Sequence, residues 1–141
     1  MTTVRNIAAY IEELAPLYWA ESWDNVGLQV GDPGAAVQRV LVALELTDPV
    51  LEEAESLGCD MVVVHHPPIF RPLKALRFDN RPARRLLRLI RGGIALYAAH
   101  TNLDQAAGMT NDTLAAAAGL TEFEVLKQAG EERYGKLVVC V

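Results

Sequence analysis

Cysteine is scarce in this chain, and the two present, Cys59 and Cys140, lie far apart and form no Cys-x-x-Cys pair. No disulfide framework is needed, so a reducing compartment fits and two buried apolar thiols are the plainest reading. Long hydrophobic runs are missing too. Nothing approaches the roughly eighteen apolar residues of a membrane span, and Met1 to Arg5 leads into a polar-striped segment without a signal-peptide core. A cytoplasmic protein with no membrane partner is therefore expected. The chain also lacks excess positive charge. A net charge of -5 and a pI near 5.1 argue against a generic nucleic-acid surface.

What is there suffices for one globular domain with a real core: 141 residues, 51% of them hydrophobic. The stretch that organises it is Asp60-Met61-Val62-Val63-Val64-His65-His66-Pro67-Pro68. The apolar run Met61 to Val64 shows no polar alternation, which fits a strand buried on both faces of a parallel sheet. Pro67 and Pro68 cannot donate ladder hydrogen bonds and stop the strand. The two histidines thus sit at a strand's carboxyl end, where open α/β sheets place ligands.

Upstream, Val4, Ile7, Ala8, Ile11 and Leu14 recur at helical spacing behind a possible Thr2 or Thr3 cap. The Gly-, Asn- and Asp-rich segment Trp23 to Gly34 reads as a loop with a short strand inside it. Arg39 to Leu46 reads as a first central strand, and Thr47-Asp48-Pro49 caps a helix that Gly58 stops. With Asp60 to Val64 this makes a β-α-β unit with parallel strands. Ile69 to Asn80 reads as a mobile connection into a helix over Arg81 to Arg91, which Gly92-Gly93 ends. Ile94 to Ala99 is a third apolar run, followed by His100-Thr101-Asn102-Leu103-Asp104, and a small-residue helix spans Asn111 to Ala118. Lys136 to Val141 reads as a strand cut by the chain end, so the chain is expected to be the amino-terminal part of something longer.

All three histidines lie at carboxyl ends of expected parallel strands, and Asp104 follows one turn after His100. Neutral imidazoles and a carboxylate converging on a sheet edge suit a borderline cation such as zinc, manganese, iron or nickel. Neighbouring side chains on a strand point in roughly opposite directions, so His65 and His66 are expected to flank a pair of ions rather than chelate one. The plain structural alternative is that the His-His-Pro-Pro turn bonds its own loop and His100 orients a carbonyl. Between Arg71 and Arg91 a second feature stands out, eight of the thirteen basic residues. A solvated helix face explains it more simply than an anion-binding patch.

Three motifs, Trp23-Asp24-Asn25-Val26-Gly27-Leu28-Gln29-Val30-Gly31, His65-His66-Pro67 and His100-Thr101-Asn102-Leu103-Asp104, make the chain resemble the Nif-three-like proteins, also called GTP cyclohydrolase I type 2 homologues. The resemblance runs over nearly the whole chain. It implies an α/β fold, a mainly parallel sheet with flanking helices, in which two related halves face a cleft holding two divalent metal ions. It also implies a ring-shaped homohexamer. The family's metal ligands fall on His65, His66 and Asp104, the two histidines serving different ions. His100 matches a motif residue that is not usually a ligand and is expected to act in catalysis by positioning water or substrate. Asp24 and Asn25 match a loop looking onto the same cleft and are expected to bind substrate. The family's remaining ligands, a histidine and a glutamate four residues later, have no counterpart here. Residues 1–133 are accordingly expected to form the first half, and residues 134–141 to open an inserted domain, so that metals are held weakly or incompletely.

On this resemblance the complete protein is expected to be a dinuclear-metal-dependent hydrolase acting on a nucleotide-like small molecule. In the cyclohydrolase version, hydroxide opens the guanine ring and His100 shuttles the proton. A metal-dependent phosphoesterase using arginines from Arg71 to Arg91 is a second version. A metal-binding assembly or interaction protein without turnover is the rival of another class, because fold and motif fix a site and not a reaction. A nucleic-acid-binding ring is the least expected.

Overall fold

A computed structural model describes residues 1–121, together with the backbone of Lys127–Gln128 and Gly135–Lys136. Helix α1 (Val4–Leu14) opens with a capping box in which Thr3 and Asn6 satisfy each other's backbone N–H. A short 3-10 turn at Leu17–Trp19 leads into β1 (Gly27–Val30) and β2 (Val40–Ala43). Helix α2 (Asp48–Ser56) starts from a Thr47 cap with Pro49 in its first turn, and Gly58, at φ +62°, turns the chain away from it. Strand β3 (Met61–Val64) follows. Helix α3 (Arg81–Gly92) runs from an Asn80 cap to a left-handed Gly93. Then come β4 (Ala95–Ala98), α4 (Thr101–Gln105), α5 (Thr110–Ala117), and the dipeptides β5 (Lys127–Gln128) and β6 (Gly135–Lys136), which pair antiparallel. The expected strand over Lys136 to Val141 otherwise lies outside the described residues, as does Cys140.

The main sheet has the order β1-β4-β3-β2. Strands β2, β3 and β4 are parallel, and β1 joins β4 antiparallel. The fold is α/β with a mainly parallel sheet, and the period of two along each strand explains its layers. Val62, Val64, Leu96 and Ala98 point to one face, where they pack with Leu51 and Ala54 of α2 and Leu86 and Leu89 of α3. Met61, Ala95 and Tyr97 point to the other, against Val4 and Ala8 of α1. Covered on both faces, the two inner strands need apolar residues at nearly every position, which is why their sequences show no alternation.

One expectation is revised. The apolar run Arg39 to Leu46 yields the edge strand β2, not a central one, and Val42 and Leu44 are 75% and 61% exposed. The arginine-rich helix also has a more specific role than a solvated face. Arg81 and Arg85 each place Nε 2.6 Å from an Asp48 carboxylate oxygen, and Arg88 bonds Glu55, so the basic stripe of α3 docks on the acidic side of α2. Burial on the sheet supplies most of the docking energy, because paired surface charges contribute little.

Candidate metal centre

Three chain segments meet at the carboxyl ends of the parallel strands. His65 follows β3 directly, and its N–H lies 3.2 Å from the Leu44 carbonyl, which His66 N–H reaches at 2.9 Å. The His-His turn is thereby pinned to the chain leaving β2, and the backbone no longer alternates as a strand does. In consequence the two side chains do not diverge: their ring centroids are 5.1 Å apart. His100 comes from beyond β4 and stands at the start of α4, where its carbonyl accepts from Leu103 and Asp104 N–H. Its ring centroid lies 5.1 Å from that of His65 and 5.8 Å from that of His66. One nitrogen from each of the three imidazoles falls within 4.8 Å of the others.

The outer contacts decide which nitrogens are free. His65 Nδ1 is 2.9 Å from the Ala99 carbonyl. A carbonyl can only accept, so Nδ1 carries the proton and Nε2 keeps its lone pair. His100 Nδ1 is 3.0 Å from both oxygens of Asp24, which fixes the same tautomer and leaves Nε2 available. Metal-binding histidines typically show this arrangement, the second N–H held by a carbonyl or carboxylate. His65 Nε2 in turn lies 3.6 Å from Asp104 Oδ1. That is too long for a hydrogen bond, yet it matches two ligands bonded at about 2.1 Å to one cation. The donor set therefore fits a divalent borderline ion.

Asp24, expected with Asn25 to bind substrate, lies instead covered beneath the imidazoles. Its side chain is fully covered and receives, besides His100, the Thr101 N–H and hydroxyl and the Asn25 N–H. Burial pushes the carboxyl up, but the hydrogen bonds from His100, Thr101 and Asn25 more than reverse this, and it titrates below its ordinary value. Asn25 is exposed and donates through Nδ2 to the Ile69 carbonyl. Gln29 binds the same peptide, accepting from Ile69 N at 3.0 Å and donating to its carbonyl, so this loop clamps the segment that leaves the His-His-Pro-Pro turn. Trp23 and Phe70, both exposed, have rings 5.9 Å apart, and the Trp23 ring lies 6.4 Å from that of His100.

Sequence reasoning missed several contributors. Asn102 is fully buried, accepts from His100 N–H at 3.0 Å and donates to the Ala15 carbonyl at 2.7 Å, so it sets the backbone that carries His100. Its position inside a chemistry-bearing motif was the available signal. Glu45, whose Oε1 lies 3.5 Å from His66 Nδ1, belongs to no motif and gave none.

Fold and site together define an α/β protein with a histidine-carboxylate centre at the carboxyl edge of a parallel sheet. The sequence profile of the Duf34/NIF3 (NGG1p interacting factor 3) family matches residues 2–140, and the chain belongs to that family. It is 39% identical over 137 residues to the "GTP cyclohydrolase 1 type 2 homolog" of Halalkalibacterium halodurans, covering 97% of this chain and 37% of the relative. The protein of that name from Bacillus subtilis gives the same identity and coverage. A crystal structure of a Bacillus cereus protein related to NIF3 superposes with a TM-score of 0.87 at 40% identity, covering 92% of this chain and 36% of that one. The chain thus spans little more than a third of the length of these relatives.

Proposed function

We propose that the complete protein is a metal-dependent hydrolase that uses two divalent cations and acts on a nucleotide-like substrate. One observation carries the metal-binding reading: three imidazoles converge within 4.8 Å, with Asp104 standing 3.6 Å from His65; the second ion is taken from the family resemblance. When bound, the cations would polarise the electrophile and make water acidic enough to attack at neutral pH. The chain's own residues divide the remaining work. His65, His66 and Asp104 hold the ions. His100, its Nδ1–H committed to Asp24, accepts or returns a proton at Nε2. Asn25, exposed on the loop before β1, would contact substrate, and Asp24 would act through His100.

The relatives' name supports opening of the guanine ring of GTP as the reaction. Arg81, Arg85 and Arg88 are already committed to Asp48 and Glu55, which favours that version over a phosphoesterase drawing on those arginines. Self-association, as in a homohexamer, belongs to the same proposal, and the position of β2 at the sheet edge among the described residues, with Val42 and Leu44 exposed, supports it.

The test is turnover. Protein of the relatives' full length, loaded with zinc or manganese, is assayed with GTP and with a phosphoester beside His65→Ala and Asp104→Ala. Ring opening in the wild type, lost in both variants while they stay assembled, bears the reading out. Rates no higher than those of the variants leave the metal-binding assembly protein as the better description.

A further inference from the structure

The strand ends present one pairing twice. On one flank of β3, His65 Nε2 faces Asp104 Oδ1, carried by the chain beyond β4, at 3.6 Å. On the other flank, His66 Nδ1 faces Glu45 Oε1, carried by the chain beyond β2, at 3.5 Å. Both separations exceed the roughly 2.7–3.2 Å of an N–H···O hydrogen bond. Both match the roughly 3.4–3.6 Å between two ligands that bond one cation at about 2.1 Å and subtend about 110–120°.

We propose that Glu45 is a carboxylate of the metal centre, forming with His66 a half-site for a second divalent cation beside the half-site of His65 and Asp104. The proposal rests on the metal-centre reading above and adds a ligand that neither the motifs nor the resemblance supplies. Backbone geometry fixes the placement. The Leu44 carbonyl accepts from both His65 and His66 N–H, so the residue after it is held next to the His-His turn. Glu45 and His66 line a cleft of about 230 Å³ with Leu46, Pro67, Pro68 and Arg85. Arg85 does not compete for Glu45, because its guanidinium is engaged by Asp48 and by the Leu46 carbonyl at 3.0 Å. The side chains of His66 and Glu45 are 49% and 57% exposed, open enough for a hydrated ion to enter and shed water onto them. An imidazole and a carboxylate select the same borderline cations as the first half-site, zinc, manganese, iron or nickel.

Isothermal titration of protein of the relatives' full length with zinc chloride tests the proposal. The wild type is expected to take two zinc ions. Glu45→Gln, isosteric and exposed, should weaken one site at least about tenfold and leave the other unchanged. His66→Ala should remove the site that Glu45→Gln weakens, and His65→Ala the other. Glu53→Gln, an exposed acid on α2, controls for the loss of one negative charge and should change neither, and circular dichroism verifies the fold of each variant. Glu45→Gln binding two zinc ions as tightly as the wild type, or losing both sites equally, overturns the role of Glu45 while leaving the centre standing. A wild type that binds no zinc overturns both the centre and this addition to it.

Discussion

Both carboxylate oxygens of Asp24 lie 3.0 Å from His100 Nδ1, so a side chain from the loop before β1 sets the tautomer of a histidine 76 positions later. Replacement of Asp24 by Ala orphans donors on His100, Thr101 and Asn25 in a covered site. The expected cost is about 3 kcal/mol in chemical denaturation, from donors worth about 1–3 kcal/mol each when left unpaired. Asp24→Asn, which keeps one acceptor, should cost less. Long-range nitrogen–proton spectra should show His100 protonated at Nδ1 in the wild type and a mixture of tautomers in Asp24→Asn. An unchanged stability and tautomer would show that Asp24 does not orient the ring.

Acid sensitivity should come in part from the helix pair. Hydrogen bonds from Arg85, and then from Arg81, hold the Asp48 carboxyl far below its ordinary value of 3.8. A carboxyl depressed in the folded state stabilises the fold above its ordinary value and loses that contribution as pH falls below it. Denaturation midpoints measured from pH 6 down to pH 2.5 should therefore decline less steeply in Asp48→Asn than in the wild type, from a lower starting point. Parallel profiles would contradict the pairing.

Gly31 closes the first motif at φ +115°, and a Cβ built there would stand 2.8 Å from Ala95 Cα and Cβ on β4. Gly31→Ala combines left-handed strain with a clash against backbone that cannot move aside, and a loss of about 2 kcal/mol or more is expected. Gly108 provides the comparison, with φ +73° and nothing within 4 Å of an added Cβ. Its alanine variant should cost only about 1 kcal/mol, the backbone term alone. Equal losses would show that the approach to Ala95 is looser than described.

Much of this architecture is legible in the sequence because its signals are local. Met61 to Val64 carries its own evidence of two-sided burial, and Gly92-Gly93 marks the end of α3. His65, His66, His100 and Asp104 stand out because strand ends and motifs coincide. What escaped depends on partners distant in the chain. An apolar run such as Arg39 to Leu46 does not reveal which strand will occupy the sheet edge, since that is settled by where β1 inserts, beside β4. The arginines of α3 read as a solvated stripe until the fold brings Asp48 and Glu55 against them. The divergence expected of His65 and His66 assumed strand geometry continuing past Val64, whereas the Leu44 carbonyl bends both residues out of it. Glu45 is invisible for the same reason, a carboxylate made relevant only by its neighbour strand.

The proposed role of His65, His66 and Asp104, with His100 beside them, is to hold divalent cations. X-ray absorption at the zinc edge of zinc-loaded protein of the relatives' full length is the decisive measurement. Nitrogen and oxygen neighbours at about 2.0–2.2 Å are expected, with outer-shell scattering from imidazole rings, diminished in His65→Ala and in His66→Ala. A spectrum of hydrated zinc without imidazole scattering, the same in wild type and variants, would contradict that role and make the histidine cluster a structural feature of the sheet edge.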